Sequence, residues 1–216
     1  MLPLVFAAEA DPVSVAATPA ASSALPAPTP APDAEGPRRL RNGFVLGLTL
    51  GGGVASGAGY PNDQNDLGAT DYQRSGWLPG TGTTILIMGA IADDLNFGFW
   101  YGRGTFKGGA DRESQSGAGL RIEGFPLAFL CPRFGGLGIF SSFGLGTASL
   151  STPNVPNAGG TQSIVAAGAF YEWAVGHVLG GHFGLGPGLE YDATFTEPYH
   201  QNAVVATLRG VWYGGP

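Results

Sequence analysis

From residue 42 onward, bulky apolar residues alternate with small or polar ones, and a period of two is a strand pattern that no helix accommodates. It is sharpest over residues 181–195, where Phe183, Leu185, Pro187, Leu189, Tyr191, Ala193 and Phe195 share one face and His182, Gly184, Gly186, Gly188, Glu190 and Asp192 share the other. Phe44, Leu46, Leu48 and Leu50 are sorted in the same way against Val45, Gly47, Thr49 and Gly51, as are Leu137, Ile139, Phe143 and Leu145 against Gly138, Ser142, Gly144 and Gly146. Leu95, Phe97, Phe99 and Tyr101 repeat it against Asn96, Gly98 and Gly102.

A soluble sheet would turn its bulky face inward and its polar face to water. Here the second face is largely glycine, in a chain with 38 glycines among 216 residues and only 12% charged residues, and a row of glycines makes a poor solvent-facing surface. Glycine suits the crowded interior of a narrow barrel, where it leaves room for charges and for an occasional large side chain such as Phe140 or Phe170. The bulky face is therefore expected to meet lipid.

Alternation and turn residues predict eight strands, near 42–53, 81–92, 94–106, 117–130, 136–150, 163–176, 181–195 and 202–213, each long enough to cross the hydrocarbon as a tilted strand. The connections alternate in length: 54–80, 107–116, 151–162 and 196–201 are long and polar, the others shorter. That rhythm is expected of outer loops and periplasmic turns. The fold class is therefore all-β, an eight-stranded antiparallel up-and-down transmembrane β-barrel. Beyond Gly124 the bulky residues Phe125, Leu127 and Phe129 fall on the wrong parity, so a β-bulge is expected there to return them to lipid.

Residues 40–216 resemble the small eight-stranded outer-membrane proteins typified by the outer-membrane protein A transmembrane domain. The resemblance implies a bacterial outer-membrane location and contact with the outer-membrane assembly machinery. Members often end on an aromatic residue, whereas this chain places Gly214, Gly215 and Pro216 after Trp212 and Tyr213.

Ahead of the barrel, residues 1–10 contain a short apolar run and an Ala8-Glu9-Ala10 cleavage pattern, which reads as a signal peptide with a truncated start. Residues 11–39, rich in Ala and Pro, are expected to form a disordered linker. One barrel domain fills the remainder. The single Cys131 excludes an internal disulfide. No apolar run reaches the roughly 18–20 residues of a membrane-spanning helix. A net charge of −6 leaves no basic stripe for nucleic acid.

Charges on the inward parity are Arg121, Glu123, Glu172, Glu190, Asp192 and Arg209, and burying them unpaired would cost several kcal/mol each. Counting from strand ends puts Glu172 with Arg209 at a lower level and Arg121 with Glu123, Glu190 and Asp192 at an upper one, unless Lys107 or Arg112 folds in. On this count Arg121 is the residue the barrel can least lose. His182 is expected to hydrogen-bond Glu172, His177 to lie in a periplasmic turn and His200 in an outer loop. Membrane-interface aromatics are expected at Phe106, Tyr171, Trp173, Phe183, Tyr191, Phe195 and Trp212, with Trp100 turned into the lumen.

The many G-x-G matches precede no helix and no lysine, so they do not form a phosphate loop. No Cys, His and carboxylate set has metal-ligand spacing. Asp63, Asp66 and Asp71 read as a solvated acidic loop that could also meet divalent cations at a lipopolysaccharide surface. No catalytic residue, cofactor or metal is expected. The leading functional reading is a side-chain-plugged barrel that anchors in the outer membrane and displays its outer loops, with lipid and lipopolysaccharide as surroundings. The alternatives are a narrow ion channel and an outer-membrane lipid-modifying enzyme.

Overall fold

The structure, a computed structural model, describes residues 41, 43–61, 71–129, 132–196 and 198–215. The signal and linker readings, Cys131, Asp63 and Asp66 lie outside the described residues. Ten strands follow one another: β1 (Gly43–Gly59), β2 (Gln73–Arg74), β3 (Leu78–Ala92), β4 (Leu95–Gly108), β5 (Asp111–Gly124), β6 (Leu137–Ser151), β7 (Ala158–Tyr171), β8 (Trp173–Val178), β9 (Gly181–Phe195) and β10 (Tyr199–Gly214). Apart from the two-residue β2, which pairs with β1, they form eight staves of one antiparallel meander. β1 pairs with β10 from Phe44↔Gly214 to Gly59↔Tyr199, which closes the sheet into a barrel.

β7 and β8 are one interrupted stave, since both pair with β9, the first up to Phe170↔Gly188 and the second from Trp173↔Leu185. The interruption faces Pro187, which has no N–H to give to a neighbour. The stave turns back through Leu179 and Gly180, with φ of 53° and 74°, the two positive values that a type I′ hairpin turn demands.

Alternation places the side chains as the sequence implies. Phe44, Leu46, Leu48, Leu50, Ile85, Ile87, Phe97, Phe99, Leu120, Ile122, Ile139, Phe143, Leu145, Leu189 and Leu208 are exposed on the outside, while Val45, Leu86, Met88, Trp100, Ile164, Val211 and Tyr213 cluster in the lumen. The glycine face makes room for large lumenal rings: a Cβ at Gly138 would sit against the Phe170 ring, one at Gly168 against Phe140, and one at Gly144 at 2.9 Å from Trp100. Gly138→Val should therefore overfill the lumen and cost about 1–3 kcal/mol, checked by the urea midpoint of the refolded barrel; an unchanged midpoint would mean that the rings are not confined.

Two expectations about the strands and their connections fail. The loop rhythm is broken, because β4 and β5 are joined by Gly109 and Ala110 alone, whereas the inner connection 125–136 is long. The strands run on past the lipid belt, where outward residues change to Lys107, Arg112 and Thr147. The polar stretch 107–116, expected as an outer loop, is strand above the membrane: β4 continues to Gly108 and β5 begins at Asp111. The bulge at Gly124 is absent as well: β5 pairs with β6 without a register shift to Gly124↔Ile139, and the chain then leaves the sheet. Phe125 is buried against Phe140 and Phe170, while Phe129 is exposed.

Candidate functional site

The lower lumen holds three arginines, each stacked on a phenylalanine ring. Arg41 lies 3.5 Å from the Phe125 centroid, Arg121 3.4 Å from Phe140, and Arg209 4.3 Å from Phe170. Between them stands Glu123, which is fully buried. It accepts both Arg209 guanidinium nitrogens, one at 2.7 Å, together with Arg121 Nε at 2.9 Å and Asn96 Nδ2 at 3.3 Å. Glu172 lies beside them, 3.8 Å from Arg209 and 3.7 Å from Arg41, and accepts the Tyr213 hydroxyl at 2.9 Å. Such cation–ring stacking and bidentate pairing hold planar guanidinium groups in fixed orientation.

This differs from the two-level scheme that strand counting gives. Because β5 begins at Asp111, Arg121 and Glu123 lie near its periplasmic end, at the level of Arg209. Arg209 serves Glu123 as well as Glu172, so the single lower pair becomes one shared network. Arg121 reaches Glu190 only at 3.8 Å. Lys107 and Arg112 are exposed. Arg41, just ahead of the first strand, was missed because nothing in the alternation places it. The expected bulge turns Phe125 to lipid and so hides its stack with Arg41, whereas the stacks on Phe140 and Phe170 depend on the stagger between staves, which alternation does not encode.

Higher in the lumen lies Glu113, also fully buried, in β5 rather than in the outer loop that the sequence predicts over 107–116. It accepts Gly57 N at 2.7 Å, Gln201 Nε2 at 2.9 Å and the Ser75 hydroxyl. Ser75 belongs to the first outer loop, so Glu113 ties that loop to the barrel wall. Gln73 adds a second tie by donating to the Pro156 carbonyl. The parity of Glu113 with Arg121 and Glu123 was visible in the sequence. Between the two levels, Gln115 Nε2 reaches Asp192 at 3.3 Å.

The aromatic and histidine expectations divide. Trp173, Tyr191 and Phe195 are exposed. Trp212 Nε1 donates to Val178 O at 2.8 Å, and Tyr171 Oη donates to Arg133 O at 2.9 Å; Phe183 is half-buried on the same side as these. Phe106 is instead fully buried, packed on Ala55, Leu78, Ala203 and Val205, because its even parity on β4 matches Trp100 and points inward. Trp100 is buried in the lumen. His177 lies in β8 rather than in a turn, directly across from His182, their ring centroids 3.9 Å apart. His200 lies in β10 rather than in a loop. Asp71 is half-buried beyond the outer end of β1.

No protein-family model matches the chain, and no curated protein sequence matches it. Solved structures do. Neisserial surface protein A is 13% identical, with 78% of this chain and 96% of that one covered at a TM-score of 0.48. Ail, the attachment invasion locus protein of Yersinia pestis, is 9% identical, with 78% and 99% covered at 0.44. The N-terminal β-barrel domain of Pseudomonas aeruginosa OprF is 12% identical, with 78% and 98% covered at 0.40.

Proposed function

We propose that the chain is a bacterial outer-membrane barrel whose lumen is closed by side chains and which acts through the surface of its outer end. The support for a membrane position is the ring of exposed Leu, Ile and Phe around a closed barrel, since a closed sheet leaves no backbone group unpaired toward lipid. The observation that carries the closed lumen is Glu123 bridging Arg121 and Arg209 across the interior, with Phe140 and Phe170 stacked beneath the guanidinium groups. Eight staves enclose only enough width for such side chains.

The outer end carries the surface. Tyr72 and Trp77 are exposed on the first outer loop, and Tyr60 packs edge-on to Tyr72 at 5.1 Å. Large aromatics held on a tethered loop are the residue type that anchors a partner. Lipid and lipopolysaccharide surround the barrel in this reading, and the assembly machinery inserts it. A second reading, a narrow cation path, is favoured by the acid-lined cavity above the Arg–Glu network.

Planar-bilayer recording separates the two readings. The closed lumen predicts no conductance steps above the lipid baseline, and regular steps from the wild-type barrel would replace it with the channel. Heat-modifiable migration on a denaturing gel and fractionation with the outer membrane test the location. Recovery in the soluble fraction would overturn it.

A further inference from the structure

Above the Arg–Glu network the lumen holds a cavity of about 40 Å³, with Glu190, Asp192, Gln115, Ser142, Thr49 and Trp100 in its wall. Glu190 and Asp192 share the inward face of β9, and their carboxyl groups are within hydrogen-bonding reach of each other. Two carboxylates in contact repel unless a proton or a cation lies between them. The nearest guanidinium, Arg121, stands 3.8 Å from Glu190 and is already engaged with Glu123 at 2.9 Å.

The wall also carries oxygens without a protein partner. Thr49 Oγ1 and Ser142 Oγ, on residues 5% and 3% exposed, have none, and neither has Gln115 Oε1. Buried polar atoms are ordinarily satisfied, and these three oxygens line the same cavity as the two carboxylates, with lone pairs that a cation or its water could engage; the Trp100 Nε1 donor of this wall has no protein acceptor either. The charge of the lumen agrees. Arg41, Arg121 and Arg209 oppose Glu113, Glu123, Glu172, Glu190 and Asp192, which leaves two carboxylates in excess among these groups. Glu113 is held by neutral donors, and Asp192 is the acid at the cavity.

We propose that this cavity binds a divalent cation of the calcium class, with Glu190 and Asp192 supplying charge and Ser142, Thr49 and Gln115 supplying neutral oxygens directly or through water. Hard oxygen ligands of mixed charge are what calcium takes, and sites with few carboxylates bind it weakly. No histidine, cysteine or methionine is among the described residues that line the cavity, which disfavours zinc or copper. The alternative, a proton shared by the acid pair, leaves the neutral oxygens unexplained.

Trp100 in the same wall supplies the readout, because its indole can transfer excitation to terbium, a luminescent stand-in for calcium. Refolded barrel in micelles free of divalent ions should give saturable terbium emission on tryptophan excitation. Calcium should compete with a Kd on the order of 10⁻⁴ M. Trp100→Phe should remove most of the emission, and Asp192→Asn should weaken calcium by about tenfold or more, which is about 1.4 kcal/mol, in protein that still migrates heat-modifiably. Should Asp192→Asn fail to fold, Ser142→Ala carries the test, with competition weakened by about threefold. Absence of emission from wild type would overturn the site. So would emission and competition that survive Trp100→Phe and either of the other variants unchanged, since the ion would then sit on the acidic outer loop.

Discussion

Glu123→Ala should destabilise the barrel by about 3–5 kcal/mol, the cost of leaving buried charges without their counter-ion. Glu123 accepts from Arg121, Arg209 and Asn96 in a site with no solvent exposure. Its removal leaves Arg121 and Arg209 close together, with Glu190 and Glu172 as their ion-pair partners among the described residues, each at 3.8 Å. Stacking on Phe140 and Phe170 cannot replace the lost charge, since a cation–ring contact contributes about 0.5–2 kcal/mol. Arg121→Ala should cost less, because Arg209 still holds Glu123 through two nitrogens. This reverses the order that strand counting alone suggests, in which Arg121 was the least dispensable. Urea unfolding in lipid vesicles, followed by tryptophan emission, checks both. A smaller loss for Glu123→Ala than for Arg121→Ala would mean that Glu123 is not the centre of the network.

How far the sequence reached depends on which force wrote the pattern. Lipid sorts residues strictly, so the exposed row from Phe44 to Leu50 and the inward turn of Trp100 were legible from alternation, and the eight-stave architecture with them. Above the lipid belt that sorting weakens. Lys107, Arg112, Ser114 and Ser116 are polar for the sake of water, and polarity there cannot separate a strand from a loop. Every error in level followed from this. With β5 started six residues late, Arg121 and Glu123 were placed near the outer end, and Glu113 was lost to a loop. Inward parity identified the charged residues, but partners depend on stagger between staves, which one chain's alternation does not encode. Arg41 lies ahead of the regular strands, so nothing periodic marks it, whereas the parity of Phe125 does point inward and only the expected bulge turns it to lipid.

Leu208→Arg should cost about 2–4 kcal/mol, the penalty for a cation near the bilayer mid-plane on the lipid face of a barrel. Leu208 is 55% exposed on β10 and pairs with Leu50 on one side and Pro187 on the other. The outward row on β1 runs from Phe44 below it to Val54 above, ten steps or about 33 Å of strand before tilt. Leu50 stands near the middle of that row, which puts Leu208 within the hydrocarbon. In water the same change would be almost neutral, because a leucine exposed to solvent gains nothing from being apolar. The substitution therefore reads the solvent around the barrel rather than its packing. Thr161→Arg, exposed on the outward face of β7 beyond its last rung with β9 at Ser163↔Phe195, is the control, and there the cost should fall to about 0–1 kcal/mol. Reversible unfolding of the two variants in the same vesicles measures the difference. Equal and small losses would show that no hydrocarbon surrounds Leu208, and the lipid-facing assignment of the leucine and phenylalanine face would fall with it.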